Sequence, residues 1–147
     1  MTIEAGRALA GVLLHGRGGT PEEMISLADR LSVDGCRWVA PAAPTGSWYP
    51  HRFMEPVDAN EPFLSRAIDE CNRAVDQASE HGRIPAARIV LVGFSQGACL
   101  ATEYVLRHPG RCGALVIFTG GLIGPSDRPW RLAAPSCSAI SPGSEAW

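Results

Sequence analysis

Residues Arg88 to Gly97, RIVLVGFSQG, decide the fold. Arg88 to Phe94 is a nearly unbroken, β-rich apolar run, the pattern of a central parallel strand covered on both faces. It leads into Gly93-Phe94-Ser95-Gln96-Gly97, a G-x-S-x-G string, and Gln96 to His108 then reads as a helix stopped by Pro109 and Gly110. Between a strand and a helix, such a string is expected to place its serine on a sharp, strained turn, with the hydroxyl above the strand end. Glycines two before and two after leave room for the crowded backbone. The Gln96 N–H, at the helix start, is expected to face an oxyanion forming on a substrate at Ser95.

Working outward, Ala8 to Leu14 (ALAGVLL) predicts a buried strand that ends at His15-Gly16-Arg17-Gly18-Gly19. A helix follows at once. Thr20 and Glu23 have capping-box spacing, Pro21 takes the first helical position, and Met24, Leu27, Ala28 and Leu31 repeat on one face. Arg37 to Ala40 predicts a second short strand, and Pro41 to Pro56 a proline- and aromatic-rich loop. Asn60 is the expected cap of a second helix, with Leu64, Ile68, Cys71, Val75 and Ala78 on its apolar face and an end near Gly82. Gly113 to Thr119 (GALVIFT) supplies a fourth strand. The order βαβαβαβ, with helical crossovers, implies an α/β fold: a mostly parallel sheet flanked by helices on both faces.

The chain of 147 residues, 46% hydrophobic and 19% charged, suits one core of ordinary size. Residues 1–125 read as one part of a single domain and 126–147 as an irregular tail with neither a helical nor a strand period. All thirteen basic residues are Arg, set against fifteen acids for a net charge of −2, with no basic stripe, so nucleic acid is not an expected partner. No stretch approaches a membrane span and Met1 to Arg7 lacks signal-peptide character, so stable membrane insertion is not expected and a cytoplasmic location is. Cys36, Cys71, Cys99, Cys112 and Cys137 are scattered without a C-x-x-C pair, and read as free thiols, mostly core fillers. No metal site and no cofactor is expected. The glycine-rich loop after the first strand is neither Walker nor dinucleotide-binding in pattern. In this architecture it is instead where a second oxyanion donor arises, and the Arg17 N–H is the candidate.

LLHGRGGTPEEM, SWYPHRF, ANEPFLSRAID, VGFSQGACLATEY and FTGGLIGP together resemble the phospholipase/carboxylesterase family of α/β-hydrolases, which includes acyl-protein thioesterase-like enzymes. The resemblance covers roughly Leu13 to Pro125. It implies a serine hydrolase of carboxylic esters, lysophospholipids or thioesters, with a small ester or acyl compound as its partner molecule. Ser95 then resembles the nucleophile, and Gln96 and Arg17 the positions whose backbone N–H groups form the oxyanion hole. His15-Gly16 resembles the family's loop-shaping dipeptide rather than its base, and on that resemblance counts among the expected substrate-binding residues. Trp48, Tyr49 and Phe53 stand where an acyl-side wall would be, although aromatics there serve equally to pack a proline-rich loop onto the sheet. His51, polar in the same loop, could line the cleft, although a loop histidine is more often simply solvated.

Such a hydrolase needs an acid and then a histidine after its serine. The only histidine after Ser95 is His108, about 20 Å along the following helix and so out of reach. The carboxylates there are Glu103 inside that helix, Asp127 too early for the family's acid, and Glu145 near the end. None is assigned the acid role. The expectation is a chain truncated or shifted in frame near Arg131 to Pro135, lacking the C-terminal strands, with Gly113 to Thr119 as an exposed edge prone to self-association. A non-catalytic remnant or acyl-binding interaction module is the alternative reading.

Overall fold

The computed structural model describes residues 8–129 and 138–140. Five parallel strands, β1 (Leu9–Leu14), β2 (Cys36–Val39), β3 (Ile89–Phe94), β4 (Ala114–Phe118) and β5 (Ser138–Ile140), form one sheet in the order β2-β1-β3-β4-β5. Three helices connect them: α1 (Pro21–Leu31), α2 (Phe63–Ala78) and α3 (Gln96–Arg107). The α/β reading holds.

Side chains of parallel strands alternate between faces, and the core divides accordingly. Ala10, Val12, Leu14, Ile89 and Leu91 pack with α2 and α3 in the larger cluster, whereas Leu13 and Val92 meet Met24 and Ala28 of α1 on the opposite face. Gly11 faces the α1 side with no room for a side chain: a Cβ there would lie 2.2 Å from the Trp38 ring. The capping box forms as its spacing predicts. Thr20 Oγ1 accepts from Glu23 N–H at 3.3 Å, and Thr20 N–H donates to Glu23 Oε2 at 3.1 Å.

Three expectations are corrected. Asn60 does not cap α2. It is fully buried, its Oδ1 accepting from His51 N–H and its Nδ2 donating to the Arg52 carbonyl, so it fastens the loop before the helix. Glu61 takes over the helix start by accepting from Ser65 N–H and Oγ. The helix ends at Ala78 rather than near Gly82, because Glu80, His81 and Gly82 all turn through positive φ. Finally, β4 is not the sheet edge. Ala114, Leu115 and Val116 pair with Ser138, Ala139 and Ile140, so three residues of the expected irregular tail occupy that edge. Residues 130–137 and 141–147, and with them the expected frame change, Cys137 and Glu145, lie outside the described residues.

The register brings the functional loops together. Leu14 stands opposite Gly93 and Phe94 opposite Phe118. The loops after β1, β3 and β4 therefore leave the carboxyl edge of the sheet side by side, the edge at which open parallel sheets bind ligands.

Candidate active site

Ser95 joins β3 to α3 at φ 52° and ψ −113°, a region costing a non-glycine residue about 1–3 kcal/mol. Neighbouring contacts hold it there. Its N–H donates to the Phe118 carbonyl at 2.8 Å, and its carbonyl accepts from Cys99 N–H at 3.1 Å. Both motif glycines are required by close approach. A Cβ on Gly93 would lie 2.4 Å from the Gly97 carbonyl oxygen, and one on Gly97 only 2.1 Å from that of Leu14. The start of α3 is thus pressed against the end of β1.

The loop after β1 lies beside this turn. A Cβ on Gly16 would come within 3.3 Å of the Ser95 Cβ and 3.2 Å of the Phe94 ring. His15 is buried beneath it, with Nε2 accepting from Ala43 N–H at 3.0 Å. Its proton is therefore assigned to Nδ1, which donates to the Gly16 carbonyl at 2.7 Å. The Trp48 indole N–H donates to the His15 carbonyl at 2.8 Å, and the two rings lie 5.1 Å apart. With both ring nitrogens engaged, His15 shapes the loop. The backbone N–H groups of Arg17 and Gln96 have no acceptor among the described residues.

The side chains of these same two residues do work that sequence reasoning missed. Gln96 Oε1 accepts from the buried Trp48 N–H at 2.9 Å, while its Nε2 donates to the Tyr49 carbonyl at 2.9 Å and to Ser47 Oγ at 3.3 Å. The Arg17 guanidinium donates to Ser47 Oγ and the Pro50 carbonyl, both at 3.1 Å, and to the His51 carbonyl at 2.9 Å. Together they clamp the 41–56 loop over the end of the sheet. No periodicity or motif could have disclosed this, since the partners lie far apart in sequence.

Ser95 lines a cavity of about 360 Å³ whose walls include Arg17, Tyr49, Arg52, Phe53 and Cys99. Of the three aromatics proposed for a wall, Tyr49 and Phe53 reach this cavity, whereas Trp48 is buried behind it against His15. His51 is exposed and does not line it. Burial pushes the Tyr49 hydroxyl well above its usual pKa, assisted by the neighbouring Cys99; burial likewise raises the Cys99 thiol, which accepts from Gly121 N–H at 3.3 Å.

The carboxylates and the histidine after Ser95 are placed as follows. Glu103 is wholly buried on α3, with Arg128 donating to both its oxygens at 2.9 and 3.0 Å and Arg107 donating at 2.9 Å. Its i,i+4 spacing to Arg107 was legible; the Arg128 fork was not. His108 ends α3 stacked on Tyr104, ring centroids 4.7 Å apart, and Asp127 is exposed. Neither lines the cavity. No group of three His, Cys, Asp or Glu side chains arranged to hold a metal occurs among the described residues, and no helix there is long and apolar enough to cross a membrane.

Comparison with known proteins converges on one family. Residues 7–134 match the phospholipase/carboxylesterase family. Acyl-protein thioesterase 1 of Cryptococcus neoformans is 31% identical over 111 residues, 65% of this chain and 47% of that protein, so the chain spans about half the length of that relative. The crystal structure of a phospholipase/carboxylesterase from Dyadobacter fermentans superimposes with a TM-score of 0.77 at 33% identity, covering 96% of this chain and 84% of that one. The crystal structure of esterase PE8 gives 0.69 at 25% identity, covering 93% and 70%. A strained serine between the central strand and its helix thus stands in a matched sequence and a matched fold, and the chain belongs to the phospholipase/carboxylesterase family of α/β-hydrolases.

Proposed function

We propose that this chain carries the nucleophilic half of a serine ester or thioester hydrolase, with Ser95 as nucleophile and the Arg17 and Gln96 N–H groups as oxyanion hole. The observation that carries the reading is Ser95 itself, held at φ 52° at the carboxyl end of β3 beside two backbone N–H groups that have no acceptor among the described residues. In the first step Ser95 Oγ bonds to the acyl carbon as its proton passes to a base, and the carbonyl electron pair moves onto oxygen, where the two N–H groups stabilise it. Collapse expels the alcohol or thiol, which takes up a proton. Water then releases the acid from the acyl-serine.

Among the described residues no histidine with a free ring nitrogen lines the serine cavity: His15 uses both nitrogens, His51 and His81 are exposed outside it, and His108 lies at the far end of α3. Lacking the base, a triad enzyme loses about 10⁶ in turnover and keeps about 10³–10⁴ over water. That observation favours a second reading, an acyl-binding module with negligible turnover. A fluorophosphonate probe with mass spectrometry separates the two. Labelling of Ser95 that disappears in Ser95→Ala is expected from the hydrolase site; absence of labelling in folded protein leaves only the binding module.

A further inference from the structure

Among the described residues, two cations stand at the serine cavity without an anion. Arg17 and Arg52 both line it, and neither takes part in any ion pair among the described residues. Elsewhere among the described residues Arg37 pairs with Glu80, Arg73 with Glu70, Arg111 with Asp76, and Arg107 and Arg128 with Glu103, while Arg30, Arg66 and Arg83 stand outside any ion pair but also outside this cavity. The acids nearest to Arg52 in sequence do not compensate it. Glu55 and Asp58 are exposed and do not line the cavity, and Glu61 is engaged by Ser65.

The Arg17 guanidinium is also held in place for recognition. A guanidinium has five N–H donors, and Arg17 uses three, all on neutral oxygens of the 47–51 segment. Its position is thereby fixed while its charge stays uncompensated and two donors remain open. The Arg52 side chain has no hydrogen bond at all among the described residues, although the Arg52 carbonyl accepts from Asn60. The remaining wall is uncharged, with Phe53 and Tyr49 giving an aromatic surface and burial keeping the Tyr49 and Cys99 groups protonated. A cavity of about 360 Å³ lies at the small end of the range for ligand sites. It has room for a short chain and little more.

We infer that the site takes a short ester bearing a negatively charged group, which Arg17 and Arg52 hold while the ester carbonyl lies at Ser95. The inference deepens the reading of Ser95 as the reactive centre and rests on it for the position of the ester. The anion belongs either to the acyl part or to the alcohol part, and a carboxylate is a form that a guanidinium fork receives through two parallel hydrogen bonds.

The test measures binding and needs no turnover. Ligand-observed NMR titrations of the full chain carrying Ser95→Ala compare two pairs of compounds. Monomethyl succinate against dimethyl succinate places the charge on the acyl side, and acetoxyacetate against its methyl ester places it on the alcohol side. One charged member is expected to bind about tenfold more tightly than its neutral twin, with the advantage shrinking as salt screens it. Arg52→Gln, which breaks no hydrogen bond of its side chain, is expected to cut the advantage about threefold, and Arg17→Gln with Arg52→Gln to abolish it. Should the double variant fail to fold because Arg17 clamps the loop, Arg52→Gln alone decides. Equal affinity within both pairs, failure of both charged members to bind, or an advantage untouched by Arg52→Gln overturns the inference. If Ser95 is not the nucleophile, fluorophosphonate labelling fails while the charge preference in Ser95→Ala stands, so the two ideas fail separately.

Discussion

The two walls of the site are held by different means. The turn carrying Ser95 is fixed by its own backbone: Gly93 and Gly97 allow contacts that no side chain would fit, and the Ser95 N–H and carbonyl are both engaged within the sheet and helix. The 41–56 loop facing it has no such frame. It is irregular apart from one short 3₁₀ turn at Pro44–Gly46, and besides two backbone bonds, from Gly18 N–H to the Gly46 carbonyl and from Gly124 N–H to the Phe53 carbonyl, side chains reaching in from other segments hold it: His15 at Ala43, Gln96 at Trp48 and Tyr49, Arg17 at Ser47, Pro50 and His51, and Asn60 at His51 and Arg52. The serine turn therefore tolerates almost no change in covalent structure, while the loop can be loosened one contact at a time. Backbone frame and side-chain fastening are thus separable in this molecule: one wall fixes Ser95, and the other shapes the cavity beside it.

The largest effect is expected where the backbone is tightest. Gly97→Ala would push a methyl to about 2.1 Å from the Leu14 carbonyl oxygen, a clash that must move α3 away from β1. It is expected to cost about 3 kcal/mol, at the upper end of overpacking, and to abolish probe labelling of Ser95 even in the protein that remains folded. Denaturant melting and labelling check the two parts; a variant as stable and as reactive as the parent would remove the contrast between the walls.

A smaller and different loss is expected from Gln96→Ala. Three hydrogen bonds disappear and the buried Trp48 N–H loses its acceptor, which is expected to cost about 2 kcal/mol. The backbone N–H of residue 96 remains. Ser95 should therefore keep its labelling by a small probe, while the 41–56 segment becomes the first site of limited proteolysis. Gln96→Glu keeps the acceptor for Trp48 N–H but loses the two donors, and is expected to fall between Gln96→Ala and the parent. If Gln96→Ala instead silences Ser95, the loop and the turn form one unit rather than two.

How much of this could be read from the chain follows the same division. β3, the G-x-S-x-G turn and α3 were legible because their signals are local: an apolar run, glycines at fixed offsets, and a stop at Pro109-Gly110. The capping box at Thr20 and Glu23 was equally plain. The loop's fastenings were not, since Gln96, Arg17 and His15 are joined to it across 28 to 49 positions of sequence. Asn60 misled for a related reason. Its side chain suits a helix cap, and tertiary contacts turned it inward instead. β5 was missed because three residues between stretches of Pro, Gly and Ser carry too short a pattern to register as a strand.

The uncharged floor of the serine cavity has a consequence for titration. Burial raises the pKa of both the Tyr49 hydroxyl and the Cys99 thiol, so each keeps its proton further into alkaline solution than when exposed. Neither of these two groups changes its state across about pH 5–8. Binding of a carboxylate at Ser95→Ala should accordingly be flat across that window, as an isothermal titration at several pH values would reveal. Under the proposed role of Ser95, a steep pH response of its labelling would then report the group that takes the serine proton.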